Sequence, residues 1–297
     1  MFKNLYGSIL ILASATAFGV MAYCAGLAYA DGVDTTTMLA LRFSIAALVL
    51  TALARVRGHR WPRGKAATGY VLMGAVYSAM AFAYFSALHY TSSSNVAMIL
   101  YTYPILVAIA AGALRIERFG VAESCAVAAS SLGLILMLGA SISGNLTGVS
   151  LAFVAALCYA TYIIYGSRIS AGASPIAATS QLLSAAAVIF CALSWHRGIH
   201  LPASATGWLA ILFLAVVSTA LAIAAFIAGL NRVGPTLAAI LSTLEPVVTV
   251  SLGVAFMGER LQPNAVLGGI LIIAASLGLT LVRSIRPQAP AANANRL

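Results

Sequence analysis

Two stretches of this 297-residue chain have the same layout: residues 99–119, ILYTYPILVAIAAGALRIERF, and residues 241–261, LSTLEPVVTVSLGVAFMGERL. Both are strongly apolar, and both have a proline at the sixth position and a Glu-Arg pair that begins thirteen residues after it. The two prolines, Pro104 and Pro246, are 142 residues apart. Apolar stretches resemble one another easily, but a proline and a Glu-Arg pair seldom coincide at one offset by chance. The chain therefore contains an internal repeat.

The composition of the whole chain is that of a protein embedded in a bilayer. Hydrophobic residues make up 62% of it and charged residues only 7%, against roughly 25% charged residues in a soluble domain. So little charge excludes a water-soluble surface, and so much apolar character excludes disorder. A membrane-spanning helix needs about 20 apolar residues. The chain divides into ten such runs: 5–30, 35–55, 67–88, 92–114, 119–140, 148–168, 175–195, 207–230, 234–257 and 264–283.

The first run has a second interpretation, because Lys3 precedes it and Ala28-Tyr29-Ala30 resembles a signal-peptide cleavage site. The apolar region of a signal peptide is only about 7–15 residues long, so we count this run as a span.

Basic residues concentrate on one side of the ten runs, which predicts that both termini are cytoplasmic. That side holds Lys3, Arg55, Arg57, Arg60, Arg63, Lys65, Arg115, Arg118, Arg168, Arg232, Arg283, Arg286 and Arg296, whereas the other side holds Arg197 and Arg260.

The repeat predicts the architecture. Each copy holds five runs, an odd number, so the second copy must enter the membrane from the opposite side. We expect an all-α polytopic membrane protein with ten transmembrane helices in two inverted-topology five-helix repeats. The first repeat is 1–144, the second is 145–284, and residues 285–297 are expected to form a disordered cytoplasmic tail. Inverted repeats are typical of secondary transporters.

The repeat motifs resemble those of the EamA family, in the drug/metabolite transporter superfamily. That family's repeat has a proline in its fourth helix, Gly-Glu-Arg-Leu near that helix's end, and a glycine-rich fifth helix. The corresponding residues here are Leu244-Glu245-Pro246, Gly258-Glu259-Arg260-Leu261, Gly268 and Gly278, with Leu41-Arg42-Phe43 also matching. The first copy departs from the pattern, because Ile116-Glu117-Arg118-Phe119 lacks the Gly and the Leu. The resemblance covers about residues 5–283 and implies a bacterial inner-membrane exporter, closest in layout to exporters of aromatic and neutral amino acids.

Glu245 is the most unusual residue of the apolar runs. It is the twelfth residue of the ninth run, and a carboxylate near the bilayer centre usually faces the protein interior or a water-filled cavity. Pro246 removes a helix hydrogen bond beside it and frees the carbonyl of Ser242, and Pro104 has the same effect in the fourth run. Paired helix breaks indicate a transporter's binding site. A purely structural bend with a protonated Glu245 fits the sequence equally well.

Arg42 lies inside the second run, where it could hold a substrate carboxylate. It could also extend to the membrane surface and meet Asp31 or Asp34, and the sequence favours that structural role. The matching residue in the second repeat is Gln181, which can form hydrogen bonds without a charge.

Aromatic residues recur near the middle of several runs, where a tyrosine hydroxyl favours a polar partner or a cavity. Helical spacing places Tyr77 and Tyr84 on one face with Met80. We expect an amphipathic cavity to which several aromatic residues contribute, and packing against lipid or other helices is the alternative. The candidates are Tyr77, Tyr84, Tyr101, Tyr103, Tyr159, Tyr162 and Phe226.

The Glu117-Arg118 and Glu259-Arg260 pairs lie at the ends of the fourth and ninth runs. Each pair is explained as an ion pair that caps a short turn at the membrane surface. The alternative is that the pairs act as gates of the transport path.

The sequence contains no Walker motif, no metal-ligand spacing and no nucleic-acid-binding motif. We therefore expect no cofactor, no metal and no nucleic-acid partner. No catalytic constellation lies within the runs, so an enzyme is not expected. We expect a secondary transporter that exports amino acids, aromatic or neutral ones above all, or similar small amphipathic metabolites by alternating access. Its partners are then that small molecule and membrane lipid; the oligomeric state is open, and a monomer would suffice. The alternatives are a drug or sugar-type transporter of the same fold, or a lipid scramblase or non-transporting scaffold.

Overall fold

The computed structural model describes residues 2–87, 89–91, 93–117, 120–138, 145–169, 174–256 and 262–285. Its helices are α1 Phe2–Gly19, α2 Met21–Ala30, α3 Thr35–Val56, α4 Lys65–Ala87, α5 Ser93–Leu100, α6 Tyr103–Ala113, α7 Val121–Leu138, α8 Leu146–Arg168, α9 Pro175–Arg197, α10 Ala205–Ala215, α11 Ala222–Val233, α12 Pro235–Ser242, α13 Leu244–Phe256 and α14 Pro263–Ile285. A π-helical turn, Val216–Leu221, joins α10 to α11.

Within the described ranges, ten stretches are long and apolar enough to cross a membrane. Span 1 is formed by α1 and α2, span 4 by α5 and α6, span 8 by α10, the π turn and α11, and span 9 by α12 and α13, while the other six spans are single helices. No end of a span differs from its predicted position by more than three residues. The prediction of an all-α polytopic protein with ten spans in two five-helix repeats is confirmed.

The pairing of the spans follows the repeat. Span 3 packs along span 6. Spans 8 and 1 are the repeat counterparts of spans 3 and 6, and they pack along each other in the same way. Spans 2 and 7 are counterparts and pack on each other, as do spans 5 and 10. These contacts are those of two similar halves related by an approximate two-fold axis.

Spans 5 and 10 approach closely because glycines face each other. A Cβ atom on Gly133 would lie 2.6 Å from the backbone oxygen of Gly268. Small residues that allow two backbones to approach are a common means of joining membrane helices, because the bilayer supplies no hydrophobic force between them.

Both predicted helix breaks are present, one before Pro104 and one before Pro246. At each break a threonine hydroxyl donates to the carbonyl oxygen three residues earlier, at 2.8 Å from Thr102 and 2.6 Å from Thr243. These bonds satisfy carbonyl groups at the helix ends, which lipid could not do. The two breaks are therefore alike in local structure as well as in sequence.

The two ends of the bundle differ in charge. The loop between spans 2 and 3 carries Arg57, Arg60 and Arg63, and we call its side of the bundle the basic end. The opposite end holds Asp31 and Asp34. Between the ends, large apolar side chains cover the outer surface, an arrangement that suits contact with lipid.

Part of the sequence-based interpretation lies outside the described residues. This applies to Arg118, to the Glu259-Arg260 pair, and to residues 286–297 of the tail expected at 285–297, whose first residue is the last of α14.

Candidate functional site

A cavity of about 290 Å³ lies among spans 1, 2, 3, 4, 5, 6 and 9. Its wall is mainly apolar and aromatic, with one basic and one acidic side chain. The residues that line it are Phe18, Met21, Ala22, Ala25, Tyr29, Arg42, Tyr77, Met80, Ala81, Tyr84, Phe85, Ala97, Leu100, Tyr101, Leu138, Tyr159, Glu245, Pro246, Thr249 and Val250.

The cavity lies in one half of the bundle. Phe18, Tyr77, Tyr159 and Glu245 are near the middle of their spans, and the other lining residues lie in the halves farther from the basic end. Toward the basic end, spans 4 and 6 line a separate groove, from Leu106 to Leu114 and from Leu157 to Arg168, which shares no residue with this cavity. The site is therefore connected with the opposite end, where Tyr29 is 37% exposed.

Arg42 and Glu245 line the same cavity from spans 2 and 9. They interact electrostatically, but among the described residues no carboxylate lies within 4.0 Å of the Arg42 guanidinium. Glu245 also interacts with the hydroxyl of Tyr101. The cavity thus holds one basic and one acidic side chain that do not form a direct ion pair with each other.

The break in span 9 presents Glu245 at the start of α13. Thr249, one turn later, donates to the carbonyl oxygens of Glu245 at 3.1 Å and of Gly19 at 3.0 Å. Gly19 is the last residue of α1, where span 1 is also interrupted. The hydroxyl of Thr249 therefore joins the interruption in span 1 to the helix that presents the carboxylate.

A network of aromatic rings closes the cavity toward the basic end. Tyr162 is 2% exposed, and its ring lies 5.3 Å from that of Tyr77, 5.9 Å from that of Tyr159 and 5.9 Å from that of Phe226. Tyr103 packs edge-on against Tyr159 at 4.5 Å and donates to the carbonyl oxygen of Ala239 at 3.3 Å. These rings form the floor of the site.

The predicted site residues divide into two groups. The cavity wall includes Arg42, Tyr77, Tyr84, Tyr101, Tyr159, Glu245 and Pro246. Behind it lie Tyr103, Pro104, Tyr162, Gln181, Phe226 and Ser242, which do not line the cavity.

Four members of the second group correspond to members of the first through the repeat. Tyr103 and Pro104 match Glu245 and Pro246, Phe226 matches Tyr84, and Gln181 matches Arg42. In each of these pairs, one member lines the cavity and the other is packed, so repeat-related residues are in different arrangements.

Two of the packed residues have unsatisfied polar atoms. Within the described part of the chain, neither the Tyr162 hydroxyl nor Gln181 Oε1 has a hydrogen-bond partner. Ser242 has one, because its hydroxyl donates to the carbonyl of Ala238 in its own helix at 2.9 Å.

The structural role expected for Arg42 is not the one observed. Its side chain is 2% exposed, and Nε donates to the hydroxyl of Thr219 at 2.6 Å. Asp31 instead accepts from the backbone N–H of Ser204 at 2.9 Å. Arg42 is buried inside the bundle because it has neutral acceptors there, so it does not extend to the surface.

Asp34 caps the start of α3, and it also lies 3.3 Å from His200 Nδ1. Burial raises the pKa of Asp34, but hydrogen bonds from the hydroxyl and backbone groups of Thr36 and Thr37 outweigh that effect and lower it to about 2. Asp34 is therefore an ionised helix cap at neutral pH.

The basic end is joined by a network around Arg283. Its Nη2 lies 3.0 Å from Glu117 Oε2, its Nε lies 3.2 Å from Glu123 Oε1, and its Nη1 donates to the carbonyl of Val233 at 3.2 Å. None of the three charged side chains is more than 16% exposed. Glu117 thus pairs with a residue 166 positions away, while Arg118, its expected partner, lies outside the described residues.

Two features of the site were not predicted from the sequence. One is the π turn of span 8, which presents Thr219 to Arg42. The other is the Arg283 network, which closes the end that the cavity does not reach. The only sequence signal for either was charge: Glu123 and Arg283 are polar residues at the ends of otherwise apolar runs.

Residues 5–139 and 146–281 of the chain each match the model of the EamA-like transporter family. The chain belongs to this family. The resemblance that the repeat motifs suggested is confirmed, and the family's two matched segments correspond to the two halves described above.

Individual relatives agree with this family. The chain is 28% identical over 258 residues to "Uncharacterized inner membrane transporter YedA" of Escherichia coli (strain K12), covering 85% of this chain and 84% of that protein. It is 34% identical over 172 residues to "Threonine/homoserine exporter RhtA" of Salmonella typhimurium (strain LT2), covering 54% of this chain and 55% of that protein. A solved structure described as "Crystal structure of protein" matches with a TM-score of 0.81 at 21% identity, over 95% of this chain and 99% of that one. That likeness concerns the fold alone.

The family, the relatives and the ten spans make this chain a multi-pass inner-membrane transporter, with a small-molecule substrate and a lipid environment.

Proposed function

We propose that this transporter exports neutral amino acids, including aromatic ones, or similar small amphipathic molecules, and that the cavity at Arg42 and Glu245 is its substrate site. The observation that carries the proposal is the presence of one basic and one acidic side chain on one aromatic-lined cavity. An amino acid has a carboxylate and an ammonium group on the same carbon. Arg42 can donate to the carboxylate and an ionised Glu245 can accept from the ammonium group, both as charge-assisted hydrogen bonds.

The remainder of the wall favours a neutral side chain. It consists of aromatic, methionine and aliphatic side chains with Pro246 and Thr249, so a third charge would find no oppositely charged partner among the residues that line it. The volume of about 290 Å³ is near the lower end of the range for small-molecule sites, about 300–1,000 Å³. RhtA, a relative by sequence, is named an exporter of two neutral amino acids.

The distribution of basic residues indicates how the protein is oriented in the membrane. We assign the basic end to the cytoplasm because Lys and Arg are retained on that side of membranes, and both termini are then cytoplasmic. The cavity, on this assignment, faces outward. This would be the state from which an exporter releases its substrate.

The inverted repeat supplies the means of exchange. If the halves exchange arrangements, the packed residues Tyr103, Tyr162, Gln181 and Phe226 would line a cavity at the basic end, and their counterparts would close the opposite end. The unsatisfied polar atoms of Tyr162 and Gln181 would then reach water or substrate. Glu245 lies near the middle of span 9, so it would be accessible in both states and could exchange a substrate ammonium group for a proton.

Transport in vesicles of purified lipid tests this function. Vesicles containing the protein are loaded with labelled phenylalanine, threonine, leucine, glutamate or lysine, and efflux is followed with and without a pH gradient. We expect saturable efflux of the three neutral amino acids and little of the charged ones. Protein-free vesicles and vesicles containing the Glu245→Gln variant are the controls.

Two outcomes would contradict the proposal. One is efflux of no amino acid while labelled sugars or cationic dyes cross, which would indicate a drug or sugar-type transporter. The other is rapid exchange of fluorescent lipids between leaflets without solute flux, which would indicate a scramblase.

A further inference from the structure

The π turn in span 8, Val216–Leu221, lies against spans 1 and 2 beside the cavity. Turns of this kind are rare because they interrupt the regular hydrogen bonding of a helix, and they are frequent at functional sites. In the first repeat, Tyr77 corresponds to Thr219 at the offset of 142, and it lies within the uninterrupted helix α4. The turn is therefore a feature of the second repeat that the first does not share.

Thr219 connects the π turn to the cavity. Its side chain is fully buried, and its hydroxyl donates to the carbonyl oxygen of Leu214, five residues earlier, at 2.7 Å. With its proton directed to Leu214, the same oxygen accepts from Arg42 Nε at 2.6 Å. The π turn thus fixes both the position of the oxygen and its role as an acceptor.

Arg42 has few other strong acceptors. Its Nη1 lies 2.9 Å from the sulfur of Met21, and a thioether is a weak acceptor. The guanidinium also lies 5.0 Å from the centre of the Phe43 ring and interacts with Tyr77. A guanidinium has five N–H donors in a planar fork. With Nε held by Thr219, the edge formed by Nη1 and Nη2 is the one left for a carboxylate, which this edge can bind through two parallel hydrogen bonds.

We propose that Arg42 and Thr219 form a carboxylate subsite, in which Thr219 is a positioning residue that keeps the Nη1–Nη2 edge of Arg42 directed at the ligand. A bound carboxylate replaces the weak contact between Nη1 and Met21. This inference rests on the proposed function and adds how the site distinguishes an amino acid from the corresponding amine, which has no carboxylate.

The test compares binding of phenylalanine and phenethylamine to the purified protein. Thr219→Val removes the hydroxyl and keeps the shape, Thr219→Ala removes it in case the valine variant does not fold, and Thr219→Ser retains it. Thr280→Val is the matched control, because the Thr280 hydroxyl donates to a backbone carbonyl at 2.8 Å in span 10, away from Arg42. We expect the valine and alanine variants to weaken phenylalanine binding on the order of tenfold, as for loss of a hydrogen bond to a charged group. Phenethylamine binding should not change, and the serine and control variants should behave as wild type.

A second measurement reports on Arg42 without any substrate. Modification of Arg42 by phenylglyoxal, located by mass spectrometry, should be slow in the wild type because the side chain is 2% exposed. It should become faster in Thr219→Val or Thr219→Ala and stay slow in Thr219→Ser.

The two measurements separate the possible failures. If the wild type binds neither probe, the proposed function fails, and the modification rates still decide whether Thr219 positions Arg42. The inference is overturned if the valine and alanine variants weaken both probes equally, if they weaken neither, or if their Arg42 modification is as slow as in the wild type.

Discussion

Arg283→Met is expected to shift this transporter toward the arrangement that is open at the basic end. Methionine keeps much of the apolar stem of the arginine and removes the charge that lies 3.0 Å from Glu117 and 3.2 Å from Glu123. Removing one partner of a buried ion pair costs about 3–5 kcal/mol. The groups here are up to 16% exposed, so we use the lower value, about 3 kcal/mol. If the arrangement open at the basic end lacks these contacts, the cost falls only on the arrangement closed at that end. The equilibrium between the two arrangements then shifts about 100-fold.

The assay uses a cysteine at Val107, in a background from which the four native cysteines are removed. Val107 is fully buried on the basic side of Pro104, and it matches Thr249, which lines the cavity. A membrane-impermeant maleimide should label Val107→Cys slowly in the parent and much faster from the basic side in Arg283→Met. Arg168→Met is the control, because the one hydrogen bond of the Arg168 side chain to the described residues is a long one, at 3.4 Å to the carbonyl of Leu114. Equal labelling of the two methionine variants, or no acceleration in Arg283→Met, would refute the reasoning.

Three further predictions follow from other parts of the structure. Glu245→Gln should preserve folding but reduce amino-acid efflux and flatten its dependence on pH between 5.5 and 8; efflux at the wild-type rate across this range would leave Glu245 only a structural role. Gly133→Ala should lower the free energy of unfolding by about 1–3 kcal/mol, because its Cβ would lie 2.6 Å from a backbone oxygen of span 10. Gly278 has open space around it, so Gly278→Ala should leave the free energy of unfolding unchanged when the two variants are compared by thermal unfolding. Equal losses of stability in both variants would contradict the close packing of Gly133 against span 10. Asp34→Ala should cost about 1 kcal/mol as a lost helix cap. Since the pKa of Asp34 is about 2 in the folded protein, against an ordinary value of 3.8, that cost should be complete above pH 4 and disappear as the pH falls toward 2; a difference from wild type that persists at pH 2 would contradict the assignment.

Local properties of the sequence predicted the positions of the spans and breaks. Hydropathy over about 20 residues decides whether a segment crosses the bilayer, and it needs no knowledge of neighbouring helices. A proline in the middle of a long apolar run removes a helix hydrogen bond, so the interruptions beside Pro104 and Pro246 could also be located. The repeat offset then predicted that the two interruptions correspond.

The sequence could not show which of the candidate side chains line the cavity in one particular arrangement. Tyr84 and Phe226 are equivalent in the repeat, yet Tyr84 lines the cavity and Phe226 is 1% exposed in the packed half. A single sequence contains the residues for both arrangements of an inverted repeat. Only the structure shows at which end of the bundle the cavity lies.

Partners distant in sequence were also beyond prediction. Arg42 meets Thr219, 177 residues away, and Glu117 meets Arg283, 166 residues away. Such contacts depend on the rotation of each helix about its axis, which is decided by packing across the whole bundle. The buried position of Arg42 could not be inferred from its depth, because snorkelling to the surface satisfies the same charge.

The most direct test of the central claim is a structure of the protein with 4-iodophenylalanine bound, in which anomalous scattering from the iodine locates the ligand. We predict one site in the cavity, with the ligand carboxylate on Arg42, its ammonium group on Glu245, and its ring against Tyr84 or Tyr101. Iodine located only outside this cavity, or a ligand in it whose carboxylate and ammonium groups contact neither Arg42 nor Glu245, would contradict the account.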